Sequence, residues 1–248
     1  MRKKKLALIL LLLVVILAVI ACNAGVRVTQ GSGNVITEAR QVREFDRINL
    51  NGSGEVIITQ GGSESLSIET DDNVMEHVKA EVEGGVLELG LVTGIQTGVN
   101  IQSYSRLVFY VGVDDLTGLT ISGSGEVESD RIETGRLDAT VSGSGGIRIA
   151  ELIASEVKAE IGGSGEIDLA GEVSAQDVSI GGSGQYLGGD LCSESVKVSV
   201  GGSGDATVCA TETLDADVSG SGSVNYYGSP AISTSDSGSG KINSLGEK

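Results

Sequence analysis

The feature that most constrains the fold is a repeat. The tripeptide Gly-Ser-Gly returns seven times between Ile121 and Gly240, centred on Ser124, Ser144, Ser164, Ser183, Ser203, Ser221 and Ser239, at intervals of 20, 20, 19, 20, 18 and 18 residues. A period near 20 marks a stacked architecture in which each unit buries its apolar face only against its neighbours. Around each tripeptide, apolar residues alternate with polar ones, as in Leu137-Asp138-Ala139-Thr140-Val141 before the turn and Ile147-Arg148-Ile149 after it. That alternation is the period of a half-buried strand. The expected unit is strand, tight turn, strand, with glycines supplying positive φ at the turn and serine hydroxyls free to bond nearby backbone. Coils stacked about 4.8 Å apart would align the seven serines into a structural ladder ~29 Å long.

Two outward columns distinguish a parallel stack from an antiparallel meander. One reads Asp138, Lys158, Asp177, Lys197, Asp215, with the sign of charge alternating at every step. The other reads Glu126, Gly146, Glu166, Gln185, Asp205, Ser223, Lys241, so that each acid has a neutral neighbour. Like charges directly opposite on paired strands are destabilising, and both columns avoid them if the coils stack in parallel register. An inward column of Ile121, Val141, Ile161, Ile180, Val200 and Val218 ends at Asp236. A polar terminal coil suits the end of a solenoid, and Gly228-Ser229-Pro230 lies nearby. Only seven of 248 residues are aromatic, which fits a narrow aliphatic core. The expected fold is all-β, a right-handed parallel β-helix of ~18–20-residue coils, its hand taken from the usual crossover preference.

The N-terminus is separable. Met1 to Lys5 is basic, Leu6 to Ile20 is apolar, and Val19-Ile20-Ala21-Cys22 closes the run. Fifteen apolar residues are few for a spanning helix. The segment reads as an export signal, and its end looks like a bacterial lipobox, which implies a diacylated Cys22 as mature N-terminus; an uncleaved anchor helix would leave the same topology. The expected division is a signal over 1–21, a tether over 22–41, irregular β coils over 42–113, and the regular β-helix with its C-terminal cap over 114–248. Within 42–113, strands are expected at Ser65–Glu69, Val78–Val82, Val86–Leu89 and Arg106–Val113, with a loop over Thr93–Ser105. Phe45 to Gly61 already holds one strand, Gly52-Ser53-Gly54 turn and strand, about 70 residues before the array.

Four of the 17 basic side chains lie in residues 2–5, leaving 13 against 34 acids after cleavage, a formal charge of −21. Nucleic acid is excluded, because phosphate neutralisation needs a basic surface. Export permits a disulfide. Cys192 and Cys209 stand 17 residues apart, about one coil, and counting from the next turn sets them one register step apart, so a disulfide and two buried thiols both remain open. They offer no zinc site with the lone His77.

Phe45-x-x-Ile48 leading into Gly52-Ser53-Gly54, Ser65-Leu66-Ser67-Ile68, Gly84-Gly85-Val86-Leu87, the Gly-Ser-Gly array, and Gly228-Ser229-Pro230 before Ser237-Gly238-Ser239-Gly240 together resemble the bacterial family called putative auto-transporter adhesin, head GIN domain, over about residues 42–247. The resemblance implies an exported β-helical domain, often behind a lipoprotein signal, with no established enzymatic activity. It carries over no binding residue.

No catalytic residue is assigned. A Ser-His-Asp arrangement could use only His77, which lies in a link between strands, and carbohydrate cleavage is disfavoured because sugar sites usually offer aromatic platforms while the array has only Tyr186, Tyr226 and Tyr227. Gly201-Gly202-Ser203-Gly204-Asp205 resembles a calcium repeat with its aspartate one residue early, so no metal and no cofactor is expected. The expected function is a non-enzymatic, lipid-anchored cell-envelope protein that binds or adheres to an envelope or surface ligand, protein or polysaccharide. The alternatives are a structural or regulatory envelope component binding wall polymer or a membrane protein and, behind it, a carbohydrate-active enzyme. The binding site is expected between Gly61 and Val113 or on an outward strand face.

Overall fold

The computed structural model describes residues 27–92 and 99–248. Nineteen strands, β1–β19, and one four-residue helix, α1 (Asp72–Met75), make up the described chain. Parallel pairing dominates. In the array, β10 (Gly118–Gly123) pairs with β12 (Ile132–Val141), and β11 (Glu126–Ser129) with the first part of β13 (Gly146–Ile161). β14 (Glu166–Ile180), β15 (Gln185–Val200) and β16 (Asp205–Val218) follow, and β17 (Ser223–Tyr227), β18 (Ala231–Asp236) and β19 (Lys241–Gly246) complete the stack. This is a parallel β-solenoid, as the repeat requires. Along β13 the alternation of buried and exposed residues breaks at Ala150-Glu151, which are both exposed. The chain turns a corner there without leaving the ladder.

The core is a set of aliphatic columns. Leu89, Leu50, Ile121, Val141, Ile161, Ile180, Val200 and Val218 are consecutive register partners, all 0–1% exposed. Fully burying each contributes about 1.5–3 kcal/mol relative to leaving it in water. Asp236 follows Val218 in backbone register; its side chain lies outside what the structure describes. The two outward charge columns run in the expected register. The second extends below the array to Glu55, which faces Glu126. Two acids therefore meet where the array joins the cap.

The isolated early Gly-Ser-Gly finds its place in the same ladder. β3 (Arg47–Gly52) and β4 (Glu55–Gln60) stack directly under β10 and β11, although the chain departs between them. The excursion forms β5 (Ser65–Asp71), α1, β6 (Val78–Glu83), β7 (Val86–Leu91), β8 (Val99–Ser103) and β9 (Leu107–Val113). β7 and β9 add one further parallel rung beneath β3 and β4. Antiparallel strands then end the stack: β5 pairs with β9 and with β2 (Val35–Arg40), and β6 with β7 across Gly84-Gly85. Both of those glycines have positive φ, 59° and 82°, as a two-residue hairpin between twisted strands requires.

Two expectations change here. The stretch 22–41 is not a tether throughout: from Arg27 it belongs to the folded body, as β1 (Arg27–Gln30), which pairs with β8, and β2. Weak apolar periodicity hid β2 because its outward and inward residues are alike exposed or half-buried. The loop expected over Thr93–Ser105 contains β8; residues 93–98 lie outside the described residues.

Candidate functional site

The Gly-Ser-Gly ladder is the first candidate, and its chemistry is steric. No glycine of the seven array turns has positive φ; only Gly52 and Gly54 of the early turn do, at 98° and 133°. The need for glycine has another cause. A Cβ on Gly143, Gly163, Gly182, Gly202 or Gly220 would fall 1.9–2.1 Å from the carbonyl oxygen of the glycine one coil earlier. A Cβ on the second glycine would strike the inward aliphatic of that coil, at 2.5 Å for Gly165 and Val141. The turns stack too closely for side chains. The serine amides hold them together, with Ser144 N donating to Gly123 O at 2.8 Å and Ser203 N to Gly182 O at 2.9 Å. The expected hydroxyl bonds to backbone are absent: the seven array serines are exposed and their hydroxyls have no protein partner among the described residues. Ser53 alone shares a hydrogen bond, with the Tyr104 hydroxyl at 2.5 Å.

The outward faces carry surface ion pairs. Lys158 binds Glu160 at 2.6 Å, and Arg136 binds Asp138 at 2.9 Å and Glu156 at 3.1 Å. Glu160 first, then Asp138 and Asp177 on the neighbouring coils, hold the Lys158 ammonium above the ordinary lysine range. Exposed pairs of this kind contribute little each. Gly146 leaves a notch of about 270 Å³ between Glu126 and Glu166, with Arg148 beside it. Asp205 faces Gln185 and Ser223, so no second carboxylate stacks on it to complete a calcium site. No group of three or more His, Cys, Asp or Glu side chains positioned to hold a metal occurs among the described residues. His77 lies 3.7 Å from the Glu76 carboxylate.

The second candidate is a cleft of about 400 Å³ on the cap, lined partly by the Gly61–Val113 stretch and partly by Ala39, Ile57 and Thr59, which lie before it. Its floor is one row across four strands: Ala39 on β2 faces Ser67 on β5, Ser67 faces Tyr110 on β9, and Tyr110 faces Ile57 on β4. Thr59 and Ser65 add hydroxyls at the rim. Tyr110 is 37% exposed, and its hydroxyl donates to Glu69 at 3.2 Å, which in turn pairs with Arg106 at 3.1 Å. The ring is thus a fixed, half-open platform with apolar neighbours and a hydroxyl rim. Such a surface suits a ligand with both apolar and polar faces. A neighbouring cavity shares Ala39, Ser63, Ser65 and Leu66. There Glu64 accepts from the amides of Glu44 (2.8 Å) and Phe45 (3.0 Å), holding Glu44 at φ 62°.

Two polar clusters escaped sequence reasoning. Asp71 is fully buried and accepts from Ser105 N at 2.6 Å, Ser105 Oγ at 2.9 Å and Gly33 N at 2.8 Å. The Ser105 amide foremost holds its carboxyl below the usual aspartate range. Asp72 and Asn73 bind Ser32, Asn34 and Gln30, so these three residues fasten β1 and β2 to the cap. No short motif announces them. The other cluster was visible in principle. Gln176 interrupts the column Leu137, Val157, Val196, Leu214, and Tyr186 interrupts Val127, Ile147, Ile167, Ala206. Tyr186 is fully buried; its hydroxyl donates to Gln176 Oε1 at 2.8 Å, and Gln176 Nε2 donates to Leu191 O at 2.6 Å and Ser193 Oγ at 2.9 Å. Gly188 makes room: a Cβ there would lie 2.4 Å from the ring. Burial drives the Tyr186 phenol far above its ordinary pKa.

Beside this network, β15 and β16 slip in register between Gly188 and Cys192, which places Cys192 opposite Cys209 with Cα atoms 4.5 Å apart and the sulfurs bonded. The bulge removes the one-step offset counted from the turns. Cys22 and the apolar segment before it lie outside the described residues. Among the described residues no helix is long and apolar enough to cross a membrane.

The described residues form a parallel β-solenoid closed by an antiparallel cap, with open concavities on its surface. The chain belongs to the family described as putative auto-transporter adhesin, head GIN domain, whose model matches residues 44–230. It is similar to a solved structure from Bacteroides fragilis described as a putative adhesin, at 29% identity over 88% of this chain and 100% of that one, TM-score 0.83. A structure from Parabacteroides distasonis described as a putative lipid binding protein matches at 25% identity over 88% and 100%, TM-score 0.76. One from Parabacteroides merdae shares the fold at 21% identity over 88% and 99%, TM-score 0.70. No curated protein matches the chain.

Proposed function

We propose that this protein is a non-enzymatic, lipid-anchored cell-envelope module that adheres to a surface ligand through the Tyr110 cleft, with Cys22 carrying the lipid and Cys192 bonded to Cys209 in the exported protein. The observation that carries the cleft is the half-open Tyr110 ring, braced by Glu69 and flanked by Ile57, Ala39 and the hydroxyls of Thr59 and Ser67. Aromatic platforms ringed by hydroxyls take polyhydroxylated or amphipathic partners through stacking and edge hydrogen bonds. The family supports a binding role, and so do the neighbours described as adhesins and as a lipid-binding protein.

The test compares cells displaying the full-length protein with cells displaying Tyr110→Ala on panels of envelope polysaccharides and surface proteins. The wild type adheres to one class and the variant, at equal surface density, loses most of that adhesion. Equal adhesion by both would remove the cleft from the account. Release of soluble product from a polysaccharide would instead favour an enzyme.

A further inference from the structure

Among the described residues, the exposed large apolar side chains are confined to the two ends of the solenoid and to the cleft. Val28 (59%), Val92 (44%), Val35 (38%) and Ile36 (36%) belong to the cap, Tyr110 to the cleft, and Ile232 and Leu245 to the last coil. The backbone places all four cap residues beside α1, with Val35 and Ile36 on opposite faces of β2. Val35 faces Asp71, the residue before the helix, and Ile36 faces Thr70. Gln30, two residues beyond Val28, accepts through its carbonyl from Asn73 within the helix at 2.7 Å. The Val92 amide donates to His77 O, just past it, at 2.8 Å.

The same end is where the anchor must attach. Four residues, Asn23 to Val26, separate Cys22 from β1. Five Cα steps span at most ~19 Å, so acyl chains on Cys22 would hold β1 close to the bilayer. Charge favours the same orientation. Residues 27–113 hold six basic and 12 acidic side chains, residues 114–248 seven and 22. The array is the more anionic part and is repelled more strongly by acidic headgroups.

We infer that the α1 end of the cap is a bilayer-contacting face, on which Val28, Ile36 and Val92 rest against the lipid surface while the array stands away from it. The inference rests on Cys22 carrying the lipid. Apolar side chains at the interface add to what acyl chains supply and fix the orientation of a domain that two chains alone would leave free to tumble.

Because the chain contains no tryptophan, single reporters can be read without background. Full-length, lipid-modified Val28→Trp, Ile36→Trp and Thr207→Trp proteins are reconstituted in phosphatidylethanolamine–phosphatidylglycerol vesicles with and without brominated acyl chains. Val28→Trp and Ile36→Trp should show blue-shifted emission and lose intensity to the brominated lipid, while Thr207→Trp on the array shows neither. Reporters at 28 and 36 that behave like the one at 207 would overturn the contact while leaving the anchor intact. Mass spectrometry of the same samples separates the two claims: a mature chain without diacylglycerol on Cys22 would overturn the anchor and the docking together.

Discussion

Two turn glycines of similar appearance, Gly202 and Gly162, should behave oppositely. A Cβ on Gly202 meets the Gly182 carbonyl oxygen at 1.9 Å, whereas one on Gly162 meets nothing within 4 Å, and neither residue has positive φ. Gly202→Ala should cost about 3 kcal/mol or more, since backbone cannot yield as a side chain does. Gly162→Ala should stabilise by about 0.4–1 kcal/mol through the unfolded chain. Chemical denaturation of the two variants checks both signs. In the core, Tyr186→Phe leaves Gln176 Oε1 without its donor and should cost about 1–3 kcal/mol. The raised Tyr186 pKa has a sign too: the native phenol stays protonated where an unfolded one ionises, so its contribution is present below pH ~10 and is lost as pH rises above it. An alkaline absorbance titration should show one tyrosine ionising only on unfolding.

Among the elements, the cap and the β15–β16 junction are the points where stability depends on conditions. Asp71 has a depressed pKa in the folded state. Its contribution is therefore complete above the unfolded value of ~3.9 and is lost as pH falls through the folded value. Hydrogen exchange of β1, β2 and β8 should accelerate in acid ahead of the array, and Asp71→Asn should be loosened at neutral pH already, with the acid dependence flattened. If the cap and array exchange together at every pH, Asp71 is not the clasp. Reduction of Cys192–Cys209 closes no other route between β15 and β16, which stay paired, and should lower stability by about 3 kcal/mol in the chain-entropy model for a loop of this length.

For the whole molecule, what was legible in the sequence followed from repetition. Stacking, register, the inward column and the alternating column Asp138 to Asp215 could all be read because each rung restates the last. The reason for the glycines could not, since a clash between coils leaves the same residue in the sequence as a demand for positive φ. The placement of Ser53 under Ser124 was illegible for a related reason: the excursion over β5–β9 returns to the rung above its start, and contacts across such an interval leave no local pattern. Of the candidate site, the Gly61–Val113 stretch was legible as the irregular part, but the Tyr110 row was not, because it joins four strands from three distant parts of the chain. The clasp around Asp71 depends on the same long-range folding.

Display of this solenoid for adhesion outside the cell is tested most directly by its accessibility on intact cells. Antibody labelling and protease shaving of cells carrying the full-length protein should reach residues of the array without prior opening of the envelope. Protection of the array until the envelope is breached would contradict adhesion and favour a structural or regulatory role within the envelope.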